Sequence, residues 1–163
     1  MAILVYFELA CSGQARPHTN RQGQAAGGPM ALNVELLRSS FAFVVEREPE
    51  VTRRFYDILF KNHPEAKPLF TSRSRADQER MLRDMLVAVI DHLDDGPWLS
   101  NQLAALGAKH SGYGVRPEMY GWVGASLLET LAGVAGDAWT PELAAAWSDA
   151  YGAIASLMQP AKA

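Results

Sequence analysis

The run SRADQERMLRDMLVAVIDHL, residues 74–93, carries Met81, Leu82, Met85, Leu86, Val89, Ile90 and Leu93 at intervals of one, three and four. An α-helix turns once in about 3.6 residues, so this spacing gathers the seven side chains on one face; a half-buried strand would alternate every second residue. Ser74 and, three residues on, Asp77 form a capping signature at its start. Gly96-Pro97 stops the run and opens the next helix, because proline lacks the amide hydrogen a helix interior needs yet fits its first turn.

The same signals extend in both directions. Upstream, Asn33 caps a helix carrying Leu36, Leu37, Phe41, Val44 and Val45, and Pro49 breaks it. A second helix holds Phe55, Tyr56, Ile58, Leu59 and Phe60 and ends at His63-Pro64, before a short turn from Glu65 to Phe70. Downstream, Leu99, Leu103 and Leu106 repeat every three or four residues, and Gly112 and Gly114 mark a loop. Pro117 opens a helix with Tyr120, Val123, Leu127, Leu128, Leu131 and Val134 that Gly136 closes. Thr140-Pro141-Glu142 starts a last helix with Leu143, Trp147, Tyr151, Ile154 and Met158. No segment alternates with period two, so the fold class is all-α, with one domain over residues 30–163.

Composition narrows the function classes. A chain of 163 residues with 48% hydrophobic residues can bury a full core without disulfides, and its single cysteine, Cys11, has no internal partner. A net charge of −3 offers no basic surplus for phosphates, which argues against nucleic acid as a partner. No stretch reaches the ~18 apolar residues of a membrane span, and the expected location is the cytoplasm. Residues 1–29, rich in Gln, Gly and Ala after Ser12, read as a disordered tail or a mis-assigned start ahead of Met30. Ile3 to Phe7 is short for a signal-peptide core and no Lys or Arg precedes it.

Chemistry should show where a polar residue stands on an apolar face, since unpaired burial costs about 1–3 kcal/mol. Gln78 lies four residues before Leu82 and seven before Met85; His110 lies seven after Leu103 and four after Leu106. The two are expected to project inward and face one another across a shared cavity. Two readings of His110 stand at this point. It is a core histidine donating to a backbone carbonyl, or it is the single protein ligand of a cofactor that brings its own four equatorial ligands, which is haem. Zinc wants about four ligands, and His18, His63 and His92 are badly placed to help. No serine sits on a G-x-S-x-G elbow.

Several ordered motifs carry a family resemblance: Phe55-Tyr56 with Leu59-Phe60, His63-Pro64-Glu65, Pro68-Leu69-Phe70, Gly107-Ala108-Lys109-His110, Tyr113-Gly114-Val115, Pro117, Tyr120, Ala146-Trp147 and Ala150-Tyr151. From about Met30 to Met158 the chain resembles the bacterial single-domain haemoglobins and the globin half of the flavohaemoglobins. The resemblance implies a three-over-three globin fold holding haem b (iron protoporphyrin IX). It implies His110 as the proximal iron ligand, Phe70 on the porphyrin face, and Tyr56 and Gln78 as a distal pair with Leu82 beside them. Val115, Val123 and Tyr151 match positions that wall the pocket. In relatives a tyrosine and a late glutamate polarise the proximal histidine; Tyr120 matches the tyrosine, but the glutamate position falls on Lys162, which cannot accept that hydrogen bond.

The resemblance further implies reversible binding of dioxygen, nitric oxide and carbon monoxide, for oxygen storage or delivery. A bound dioxygen carries partial negative charge, so donation from Tyr56 and Gln78 slows its loss. The alternative is a nitric oxide dioxygenase. With no G-x-G-x-x-G loop and no room for a flavin domain, such turnover would draw electrons from a separate reductase. A third reading is a haem-based or haem-free sensor or docking module on the same fold.

Overall fold

Four of the described helices begin where a side chain, from Asn33, Ser74, Asp95 or Thr140, satisfies an amide hydrogen that a first turn leaves open. The computed structural model describes residues 32–159; the tail read over residues 1–29, and Lys162, lie outside the described residues. Six α-helices follow in order among them: α1 (Val34–Arg47), α2 (Val51–Asn62), α3 (Arg75–Asp91), α4 (Gly96–Gly112), α5 (Pro117–Ala135) and α6 (Pro141–Met158). Asn33, Ser74 and Thr140 accept from the amides of Leu36, Asp77 and Leu143 at 3.1, 3.1 and 3.2 Å, as their positions predict. The turn after α2 is a 3-10 helix over Pro64–Phe70, and Gly136–Ala138 forms a second after α5.

Two boundaries differ from the sequence reading. Helix α3 ends at Asp91, well before Gly96: the His92 amide donates to Ala88 and Val89, and the His92 ring stacks on Trp98 with centroids 3.9 Å apart. Asp95 then accepts from the Trp98 amide at 3.0 Å and starts α4, so a carboxylate rather than the Gly-Pro pair alone opens that helix. Gly112, read as part of a loop, is the last residue of α4.

Packing sorts the helices into two layers of three. Helices α2, α5 and α6 touch in sequence, α2 against α5 and α5 against α6. Across them, α1 meets α5 and α6, α3 meets α2, and α4 meets α6. Leu37, Leu59, Leu103 and Leu131, one from each of four helices, are almost wholly removed from water and centre the core. Trp147 closes it toward α1, its indole nitrogen donating to Ser40 Oγ at 3.0 Å. No described helix is long and apolar enough to cross a membrane.

The α4–α6 contact is close because Gly107 has no side chain: a methyl there would overlap the backbone carbonyl of Met158. Gly107→Ala must therefore push α6 away from the helix that carries His110. A loss of about 1–3 kcal/mol is expected, read as a lowered urea midpoint at unchanged slope. An unchanged midpoint would show that the end of α6 gives way freely.

Candidate functional site

The apolar face of α3 is only partly buried. Val89 and Ile90 are inside, whereas Leu82, Met85 and Leu86 keep some exposure. The reason is a cavity of about 210 Å3 against that face, walled by α3 on one side and by residues of α4, α5 and α6 on the other. Leu82, Phe70, His110, Val115, Tyr120, Val123 and Tyr151 all line it. So do Leu69, Leu106, Met119, Trp122 and Ile154, none of which the sequence marks as a site residue.

His110 stands in the last turn of α4, and its Nδ1 lies 2.9 Å from the Leu106 carbonyl. A carbonyl only accepts, so Nδ1 carries the proton and Nε2 keeps its lone pair. The His110 carbonyl in turn accepts from Val115 at 3.0 Å, which folds the following segment against the cavity. Tyr151 donates to the Tyr120 carbonyl at 2.6 Å, and burial pushes its phenol well above the ordinary value. Helix α5 admits that ring because Gly124 faces it; a methyl at Gly124 would come within 2.5 Å of the ring. Tyr120 lies beside His110, with ring centroids 6.5 Å apart. Its hydroxyl has no hydrogen-bond partner among the described residues, and its carbonyl is the acceptor that Tyr151 uses.

The polar atoms of this lining are few and mostly spent. Tyr151 and Trp147 donate elsewhere, and Trp122 stacks on His63 with centroids 4.8 Å apart. Tyr120 and Trp122 offer donors, and Met85, Met119 and Met158 offer only soft thioethers. His110 Nε2 is the one nitrogen lone pair in the lining among the described residues. Among the described residues, no group of three His, Cys, Asp or Glu could hold a bare metal ion. A nearly all-apolar cavity with one basic nitrogen fits a flat, largely apolar cofactor that needs a single axial ligand.

Tyr56 and Gln78 are elsewhere. They line a second cleft of about 190 Å3 with Phe60, Lys67, Phe70 and Arg75, and of these only Phe70 also borders the larger cavity. Gln78 and His110 thus line two clefts that share Phe70. The Gln78 amide donates to the Phe70 carbonyl at 2.7 Å, a backbone acceptor that competes for it. Tyr56 is 6% exposed, packs edge-on against Phe70 at 5.5 Å, and reaches only the Gln78 carbonyl, at 3.5 Å. Burial pushes its phenol up to about 12, so it is a neutral donor at neutral pH.

A globin family model matches residues 53–158, more than half the chain. The chain belongs to the globin family. Among curated relatives, this globin is 33% identical over 124 residues to a flavohemoprotein of Bacillus subtilis (strain 168), covering 75% of this chain and 31% of that protein. It is 38% identical over 110 residues to a flavohemoprotein of Deinococcus radiodurans, covering 66% of this chain and 27% of that one. The globin thus spans less than a third of the relatives it matches. Solved structures share its fold. A bacterial globin from Campylobacter jejuni has a TM-score of 0.64 at 23% identity, covering 76% of this chain and 88% of that chain. An engineered carbene transferase from Rhodothermus marinus, assigned as a nitric oxide dioxygenase, has a TM-score of 0.69 at 24% identity, covering 79% and 89%. The three-over-three globin architecture expected from the sequence is the one observed.

Proposed function

We propose that this chain is a haem globin that reversibly binds dioxygen, nitric oxide and carbon monoxide in the cytoplasm, with residues 30–163 as its globin domain and haem b as its cofactor. The observation that carries the reading is the His110 imidazole, whose Nδ1–H is tied to the Leu106 carbonyl while Nε2 keeps its lone pair in an apolar cavity. Haem, when bound, supplies an iron that takes up diatomic gases and changes oxidation state. The protein residues do the rest. The Leu106 bond fixes the His110 tautomer and ring angle and raises the basicity of Nε2. Phe70, Leu82, Val115, Val123 and Tyr151 supply the walls that exclude water. Tyr120 stands behind His110, and with lysine at position 162 no carboxylate from that position assists it. Tyr56 and Gln78 supply donors toward bound gas from the adjoining cleft, and Phe70 is shared by that cleft and the cavity.

The test is an absorption spectrum of the purified chain loaded with hemin. A sharp Soret band that shifts on reduction, and shifts again and reversibly with dioxygen and with carbon monoxide, is expected. A chain that stays colourless after loading defeats the reading and favours a haem-free docking module.

A second role, nitric oxide dioxygenase, draws on the Rhodothermus marinus neighbour described by that activity, and the longer flavohemoprotein relatives point to a reductase partner. In that role a separate reductase returns the electrons. Nitric oxide consumption would then stop after one equivalent with the loaded chain alone and become catalytic when a flavin reductase is added.

A further inference from the structure

We infer that Arg75 is a positioning residue for Tyr56: its guanidinium lies on the phenol ring, ties α3 to α2 at that point, and strengthens Tyr56 as a hydrogen-bond donor. The inference rests on the reading of Tyr56 as a donor to bound gas. Arg75 is the first residue of α3, and its side chain runs back across α2. Its Nη2 donates to the Arg53 carbonyl at 2.9 Å and to Asp57 at 2.8 Å, and its Nε donates to Glu79 at 2.6 Å. Its central carbon lies 4.9 Å from the centroid of Tyr56 and 5.4 Å from that of Phe60, within cation–π range of both. No other guanidinium or ammonium stands over the Tyr56 ring among the described residues.

Single exposed ion pairs contribute little, and the Arg75 side chain is 38% exposed. What separates this one is that three directed bonds and two ring contacts fix a planar fork in one place, spanning both helices that border the cleft. The charges facing it are Asp57 and Glu79, with Arg53 sharing Glu79 at 3.7 Å and Lys67 on the cleft wall. Burial makes the Tyr56 O–H harder to ionise and Glu79 adds to that, while the Arg75 charge works in the opposite direction. Without Arg75, Tyr56 keeps the first two influences alone. It then becomes a weaker donor with a less fixed ring.

The test uses the haem-loaded chain with Arg75→Met and Arg75→Lys, each in the wild-type and the Tyr56→Phe background. Three readouts are taken: dioxygen release, the C–O stretch of the carbon monoxide form, and titration of the carbon-labelled Tyr56 ring by NMR. Arg75→Met is expected to speed release about two- to fivefold, the size of a cation held over an aromatic face at a partly exposed site. It should also move the C–O stretch to higher frequency and raise the Tyr56 titration midpoint. Arg75→Lys recovers part of each change, because it keeps the charge and loses the fork, and it serves where Arg75→Met loosens the fold. In the Tyr56→Phe background neither substitution changes release further. Equal effects in both backgrounds, or a Tyr56 titration that ignores Arg75, overturn the inference. A chain that takes up no haem fells the proposed function instead, and the ring titration without cofactor still decides whether Arg75 acts on Tyr56.

Discussion

His110→Ala is expected to lower haem affinity by more than about two orders of magnitude while leaving the helical content of the protein unchanged. Loss of a partner one bond removed from a metal ligand already costs about 10–100-fold in metal affinity, and here the ligand itself is removed. The fold should survive, because the side-chain hydrogen bond of His110 is to Leu106 in its own helix, and the ring is only half-buried. Truncation to a methyl group leaves a gap beside Leu106 and Tyr120 that free imidazole can enter. Hemin titration followed at the Soret band, with and without added imidazole, reads the result. A variant that binds haem as tightly as the wild type would remove His110 from the site and leave the cavity without an axial ligand. Recovery of a histidine-like spectrum with imidazole would separate loss of the ligand from damage to the cavity.

The parts of this site that were legible in the sequence are the local ones. Asn33, Ser74 and Thr140 cap helices through bonds that span three residues, so their chemistry is readable from a short window. His110 was marked by a conflict between an apolar stripe and a polar side chain, and the structure places it in the cavity lining. What was not legible depends on contacts between distant segments. Gly107 and Gly124 look like ordinary helix glycines until Met158 and the Tyr151 ring are brought against them. The Phe70 carbonyl that takes the Gln78 amide belongs to a 3-10 turn, and no periodicity in α3 announces it. Arg75 reads as one more charge at a helix start, where a cation is not favoured by the helix dipole; its role appears only once α2 lies beside it. The half-exposure of Leu82, Met85 and Leu86 is a similar case, since periodicity tells which residues face inward but not whether protein or a ligand meets them.

Tyr56→Phe should speed dioxygen release by about ten- to a hundredfold, whereas Gln78→Leu should change it by no more than about threefold. A hydrogen bond to a charged acceptor contributes about 1.5–3 kcal/mol, and each 1.4 kcal/mol is a factor of ten. The two donors differ in what they must give up to make that bond. Tyr56 holds the Gln78 carbonyl at 3.5 Å, the outer limit of a hydrogen bond, so turning its O–H elsewhere costs little. Gln78 holds the Phe70 carbonyl at 2.7 Å, a short bond whose loss would also strand a partly buried acceptor. Most of what the amide would gain from a bound gas is therefore offset by what it leaves. Stopped-flow displacement of dioxygen by carbon monoxide in the two variants measures both rates. If Gln78→Leu accelerates release as much as Tyr56→Phe, the amide leaves Phe70 when gas binds, and the two clefts act as one. If Tyr56→Phe changes nothing, the phenol stays in its own cleft, where Arg75 and Phe70 hold it as part of the packing.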